Sequence, residues 1–595
     1  RPAAPAYKAY GAPSRTKTRY DGSYEDADEG NAPVWTRGGT AAASPATAAV
    51  SPTPSYSPSF AHDEEGIRVT MPKAGSATVP VLLGSPLRNS MSPRVSSLAP
   101  IREFDALDHD SARRCANYTD RDGSGHAGPT GPAGFYTADQ LLKSDPGVHV
   151  DIYERLPVPY GLVRYGVAPD HQAVKNVTDR FEQIVSDPRC SLLANVRVGA
   201  AGPPGDVAAH LPFEALREQY HAVVLAYGAD ADRSLGLSGE GLRGVHSART
   251  FVEWYNGHPH AADRDFELGR CETAVIIGHG NVALDCARML SSTPEQLVGD
   301  TDVAAHAAAA LSQSAIRQVV LLGRRGVLHA AFTIKELREL SKRAGATFSL
   351  LAPADAFNEA VLKQAATDRP RKRLIELMSS IPNEAELPNP PPPPGADSPR
   401  AVRVQFQRAP LGFVGAAEDP GRLGAVRVGL TKLEGEPSAQ QRAHLVEGSA
   451  YDFPCGLVLK SVGYRSSPLE GAPFDEVRGV VPNRGGRVTG APGLYVAGWL
   501  KRGPTGVILT NVNDANETAA TLIADRLTGK LDVGGAGADA VRKRLAAQRQ
   551  PVLDFEAWKR IDASEVARGK QVGKVREKLV DVSEMLRVAM GQAMG

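Results

Sequence analysis

Residues 274–288 read AVIIGHGNVALDCAR, an apolar strand that runs straight into Gly278-x-Gly280-x-x-Ala283 and then into a helical pattern. Few local sequences restrict a fold more. An unbroken apolar strand has to be covered on both faces, which is the habit of parallel sheets flanked by helices. Gly278 permits the tight turn, Gly280 lets the backbone approach a pyrophosphate, and Ala283 keeps the helix close to the sheet. Phosphates then meet the free N–H groups and positive end of that helix. The strand-then-glycine signature recurs at HAVVLAYG (221–228), QVVLLG (318–323), GLVLKSVG (456–463) and GLYVAG (493–498), while HVDIYE (149–154) alternates as a strand. Several such units in one chain predict an α/β protein with two nucleotide sites.

The segment LLGRRG (321–326) sharpens the reading of the Gly278 turn. Sites for NAD usually place an acid at the end of the next strand, on the ribose 2′-OH. Here Arg324 and Arg325 stand there, and guanidinium groups suit a 2′-phosphate, so NADP is the expected ligand. The connection is longer than a usual βαβ unit because residues 291–314 are inserted.

The stretch PTGPAG (129–134) offers a second turn, with Gly131, Gly134 and Pro129 where a first glycine belongs. Glu154 closes HVDIYE about twenty residues on, where an acid would hold an adenosine ribose. One part is missing. The residues before Gly128, YTDRDGSGHA, bury almost nothing, yet a strand should precede the turn. Either the residues before 128 come from a faulty gene model, or TVPVLLG (78–84) fills the place. Pro80 weighs against the second reading, since proline in a central strand removes a ladder hydrogen bond.

Composition sets the remaining bounds. Residues 1–111 are rich in Ala, Pro, Ser and Gly, too poor in apolar pattern to offset ordering entropy, and are expected to be disordered. The acidic DGSYEDADEG counts against a targeting presequence there. The polyproline stretch at 383–400 predicts a surface insertion. A formal net charge of +1 gives no field for nucleic acid. Five scattered cysteines form no CxxC pair, which excludes a disulfide framework, a redox disulfide and an iron–sulfur set, and points to a reducing compartment. No apolar run is long enough to span a bilayer. The chain starts at Arg1 rather than methionine, which predicts that residues preceding it are missing.

PVPYGLVRYGVAPDH (157–171), GHGNVALDCAR (278–288), GRRG with AFTIKELREL (331–340), RPRKRL (369–374), GWLKRGPTGVI (498–508) and EVARGKQVGKVREKLVDVSEML together resemble the mitochondrial NADPH:adrenodoxin (ferredoxin) reductase family, from about residue 128 onward. The resemblance implies two Rossmann-like, doubly wound domains, a discontinuous FAD domain (112–231 and 461–595) bracketing an inserted NADP domain (232–460). It implies hydride transfer from NADPH to FAD and single-electron transfer to a [2Fe–2S] ferredoxin that supplies cytochrome P450 or iron–sulfur and haem biosynthesis. Carried over by motif, Ala133, Glu154, Leu162, Val198, Trp499, Gly506, Val507 and Ile508 line FAD. His279, Gly280, Asn281, Val282, Arg324, Arg325, Glu336 and Gly506 contact NADPH. His279 stands where the family often has Gln, in a residue whose backbone matters most. His171 and Asp285 match a polar pair near the flavin, and Arg338, Arg369 and Arg373 the face that meets an acidic ferredoxin. A monomer, mitochondrial placement, peripheral association with a membrane and no metal are further implications.

Hydride transfer to a flavin needs cofactors held face to face, so no nucleophile or catalytic triad is expected. Glutamate-synthase-type and thioredoxin-type reductases need cysteine sets that this chain lacks. A contrasting reading is a non-catalytic NADPH-binding protein that has lost FAD, suggested by the defect before Gly128.

Overall fold

The computed structural model describes residues 131–203, 205–384, 390–395, 397–438, 440–531 and 538–592, together with the backbone of 77–83. The rest of the region expected to be disordered, including DGSYEDADEG, lies outside the described residues, as does YTDRDGSGHA. The chain lays down β1 (Ala77–Leu83), α1 (Pro132–Ser144), β2 (Val148–Glu154), β3 (Cys190–Leu193) and β4 (Val223–Leu225). It then leaves for a second sheet built from β5 (Val245–Ser247), α2 (Ala248–Tyr255), β6 (Thr273–Ile277), α3 (Asn281–Leu290), β7 (Gln318–Gly323), α4 (Ile334–Ser341), β8 (Ala346–Leu351), β9 (Arg400–Phe406) and β10 (Leu457–Lys460). It returns to the first with β11 (Leu494–Val496) and α5 (Thr510–Leu527).

The first sheet runs β11-β4-β1-β2-β3, all parallel, and a short antiparallel pair at 483–488 extends its β11 edge. The second runs β8-β9-β7-β6-β10-β5, also parallel throughout. β6 is buried at every position, which is why its sequence reads as a continuous apolar run. An antiparallel sheet over Arg408–Gly415, Leu423–Glu434 and Tyr451–Pro454 packs on the second sheet through Phe413, Val426 and Phe453. Ala231–Asp232 pairs antiparallel with Tyr464–Arg465, so the outgoing and returning connections are stitched together. C-terminal helices carrying Trp558, Ile561 and Met585 complete the core of the first sheet. There the buried Arg164 guanidinium grips Glu565 at 2.6 and 3.0 Å.

Two expectations are corrected by β1. Residues 77–83 lie within the stretch expected to be disordered, yet they pair with β2 from Ala77 opposite Val148 to Leu83 opposite Glu154. TVPVLL (78–83) therefore fills the empty place. Pairing with β4 is confined to Val81 and Leu82, so Pro80 stands where the strand has a neighbour on one side only, and its missing N–H interrupts no two-sided ladder. The polyproline run at 390–394 is anchored by the Gln318 amide, which donates to the Pro391 carbonyl at 3.1 Å, while Pro392 and Pro393 are exposed. No helix among the described residues is long and apolar enough to cross a membrane.

Candidate active site

Each sheet changes direction at a strand whose next described helix has a glycine N-cap. β1 has β4 on one side and β2 on the other; β6 has β7 and β10. Such switch points open a crevice at the carboxyl ends of the strands, where α/β proteins bind nucleotides.

In the first crevice, α1 starts at Pro132 with Gly131 as its N-cap and no side chain capping it, so its first N–H groups are offered to a ligand. They face a cavity lined by Gly131, Ala133, Leu162, Tyr165, Tyr464, Trp499 and Asn511 among others. The Trp499 ring packs 5.6 Å from that of Tyr464, and its Nε1–H is buried without an acceptor in the protein. An indole N–H can only donate, so this unpaired donor in the cavity wall is an opening for a heteroaromatic acceptor. Together with the helix terminus, it suits a flavin nucleotide. Glu154 is wholly buried at the end of β2, where it accepts the Leu156 N–H at 2.7 Å. Val198 is buried at the end of the strand Val196–Val198. Gly506, Val507 and Ile508 form the turn before α5, with Val507 exposed and Ile508 against the core. None of these five is in the cavity wall. On α2, Arg249 holds Glu253 at 2.7 Å and Asp232 at 3.1 Å, and burial raises the Glu253 pKa against the pull of Arg249.

In the second crevice, Gly278 has φ 128°, and a Cβ there would come within 2.2 Å of the Ser461 carbonyl oxygen. Only glycine fits. Gly280 caps α3, and a Cβ there would meet nothing within 4 Å: the space beside it is open, as a phosphate requires. The His279 imidazole turns inward, 3.3 Å from the Leu321 carbonyl and with its ring 4.7 Å from Phe406. Burial lowers its pKa to about 4, so it is neutral, and its backbone is what remains to meet a ligand. Asn281 Oδ1 accepts the Thr333 N–H at 2.8 Å, tying the starts of α3 and α4, and Val282 is half-buried on the next residue. Arg324 and Arg325 follow β7 and are both exposed.

Between the crevices lies an ionic network that the sequence reading found only in part. His171 Nε2 lies 3.1 Å from Glu339 and 3.7 Å from Glu336 on α4. The fully buried Arg288 reaches Asp170 at 2.7 Å, Asp285 at 2.6 Å and Glu336 at 3.4 Å, and Arg343 adds a contact to Asp170 at 3.5 Å. Burial raises the Asp285 carboxyl to about 6, Glu336 adding to the effect while Arg288 and His171 oppose it. Side-chain ligand atoms of His171, Asp285 and Glu336 lie within 4.8 Å of one another. Arg288 contacts two of the three. Asp170 and Arg288 sit inside the stretches VAPDH and DCAR; nothing in their spacing marked them as partners. Arg338, Arg369 and Arg373 are exposed at α4 and on the helix Arg369–Ser379, whose Arg371 donates to the Ala330 carbonyl at 2.6 Å.

Two doubly wound dinucleotide folds joined by paired connections, each with a glycine-capped helix beside its switch point, define a two-cofactor oxidoreductase. No family model matches the chain. It is 47% identical over 465 residues to the human mitochondrial NADPH:adrenodoxin oxidoreductase, covering 77% of this chain and 90% of that one. With the protein of that name from Salvelinus fontinalis the identity is 46% over 466 residues, covering 77% and 89%. Among solved structures, the Mycobacterium tuberculosis oxidoreductase FprA in complex with NADPH superposes with a TM-score of 0.68 at 37% identity, covering 78% of this chain and 98% of that one. The chain belongs to the NADPH:adrenodoxin oxidoreductase family.

Proposed function

We propose that this protein is an FAD-dependent NADPH:ferredoxin reductase, acting as a monomer in the mitochondrion on an adrenodoxin-like [2Fe–2S] ferredoxin that supplies cytochrome P450 or iron–sulfur and haem biosynthesis. The observation that carries the reading is the pair of crevices: the cavity at the start of α1 with Trp499 in its wall, and the open Gly280 turn followed by Arg324 and Arg325. The FAD domain takes in β1, residues 112–231 and 461–595, and the NADP domain residues 232–460. Ala133, Leu162 and Trp499 hold FAD in the cavity, with Glu154, Val198, Gly506, Val507 and Ile508 at its margins. His279, Gly280, Asn281, Val282, Glu336 and Gly506 meet NADPH, and Arg324 and Arg325 grip its 2′-phosphate. A bound flavin supplies the change from two-electron to one-electron chemistry. The protein orients the two ligands, keeps water from the apolar cavity, and holds His171 and Asp285 in the network between the crevices. Exposed Arg338, Arg369 and Arg373 steer an acidic partner.

The non-catalytic alternative was suggested by the absent first strand, and β1 removes that ground. The purified chain should carry a visible flavin spectrum that bleaches on anaerobic addition of NADPH. A colourless chain that binds NADPH would sink the reductase reading. Replacing Arg324 and Arg325 by Ala should weaken NADPH far more than NADH, by roughly tenfold or more, if they bind the 2′-phosphate.

A further inference from the structure

The strand Leu423–Glu434 belongs to the antiparallel sheet, yet it reaches the turn that carries Arg324 and Arg325. The Thr431 hydroxyl donates to the Arg324 carbonyl at 2.7 Å. Gln407 is the single residue between β9 and the strand Arg408–Gly415, and its N–H donates to the Arg325 carbonyl at 3.2 Å. The Thr431 N–H in turn donates to the Gln407 carbonyl at 3.0 Å. A Cβ on Gly326 would lie 2.7 Å from the Leu433 Cδ1. Arg324, Arg325 and Gly326 are thus each met from outside the parallel sheet.

The near side of the turn is held as well. A Cβ on Gly323 would fall 2.2 Å from the His279 Cε1, so β7 ends directly against the imidazole. Both guanidinium groups, by contrast, are exposed. Where a long arginine side chain can place its fork depends on where its backbone stands, and here the backbone is pinned while the side chains reach outward. A strand position is equally served by valine, so what the hydroxyl of Thr431 adds is its bond to Arg324. Thr431 is buried, and without its hydroxyl the carbonyl finds a new donor only if the turn shifts.

We propose that Thr431 is a positioning residue for NADPH: through the Arg324 carbonyl its hydroxyl sets the course of the Arg324–Arg325 turn, so the preference for NADPH over NADH depends on a side chain that does not touch the nucleotide. The proposal rests on the 2′-phosphate reading above. It also gives the antiparallel sheet a part in the function, as the buttress of that turn.

The test measures binding of NADP+ and NAD+ to the full chain by competition titration, with oxidised nucleotides so that no electrons move. Thr431→Val keeps the shape and removes the hydroxyl. It should weaken NADP+ by roughly threefold to tenfold, the scale of one lost hydrogen bond, and leave NAD+ unchanged. Thr431→Ser keeps the hydroxyl and should keep the NADP+ affinity. In a chain already carrying Arg324→Ala and Arg325→Ala, Thr431→Val should have no further effect on NADP+, because its influence passes through those two residues. Should the valine chain not fold, Thr431→Ala takes its place in the same comparisons. Equal weakening of NADP+ and NAD+, or a lower melting temperature with an unaltered ratio of the two affinities, makes Thr431 a structural residue only and overturns the proposal. If removing both arginines abolishes the preference and Thr431→Val does not alter it, the proposal alone fails. If removing both arginines leaves the preference intact, the 2′-phosphate reading fails and the proposal with it.

Discussion

Asp285 is the residue at which burial and charge pull hardest against each other. Its carboxyl titrates near 6 instead of the ordinary carboxylate value because burial disfavours the anion, even with Arg288 at 2.6 Å. A raised folded-state pKa means the native state holds the proton more tightly than the unfolded chain does. The stabilisation is complete below the unfolded value near 3.8 and is lost as pH rises through about 6. Asp285→Asn should therefore raise the melting temperature more at pH 7.5 than at pH 4.5. Equal shifts at both pH values would show that Asp285 titrates normally. Arg288 is the counterpart. With no exposure and three carboxylates on it, Arg288→Met strands Asp170, Asp285 and Glu336 around an apolar side chain and should cost about 3–5 kcal/mol in a denaturant melt. Adding Asp285→Asn to that variant should recover part of the loss; strictly additive effects would mean that the two residues are not coupled.

At the scale of elements, the two glycines of the α3 turn do different work and should fail differently. Gly278→Ala forces a Cβ against the Ser461 carbonyl at φ 128°, so the fold itself should lose about 2 kcal/mol. Gly280→Val places its side chain in open space, so stability should hold while NADPH affinity falls by roughly tenfold or more. A Gly280→Val chain that binds NADPH normally would remove that turn from the site. This element was legible in the sequence because strand, turn and helix are contiguous and each carries its own pattern. β1 was harder. Its residues have the right apolar character, but they stand far upstream of the helix they serve, and Pro80 argues against them until the one-sided pairing is seen. The Arg288 network was illegible for a related reason: Asp170 and Glu336 lie 118 and 48 positions away, and only the folding of the chain brings them to Arg288.

Over the whole molecule, charge is nearly balanced, so any attraction for an acidic ferredoxin has to come from local arrangement rather than net field. In the proposed docking, Arg338, Arg369 and Arg373 would supply one: all are exposed, and α4, which carries Arg338, also holds the Glu336 and Glu339 that reach His171. Arg338 thus stands on the same helix that borders the network, while Arg369 and Arg373 stand on the helix Arg369–Ser379. Exposed charges act chiefly on encounter, and salt screens them within about 10 Å at 0.1 M. Arg369→Glu combined with Arg373→Glu should slow ferredoxin reduction by roughly tenfold at low ionic strength, with the gap to the unaltered chain closing as salt is raised. Flavin bleaching by NADPH alone should be untouched, since both residues are exposed and neither lines the cavity at the start of α1. If the doubly reversed chain reduces ferredoxin at the normal rate in low salt, the partner docks elsewhere. If bleaching slows as well, those arginines act on the fold or on NADPH binding, not on the partner.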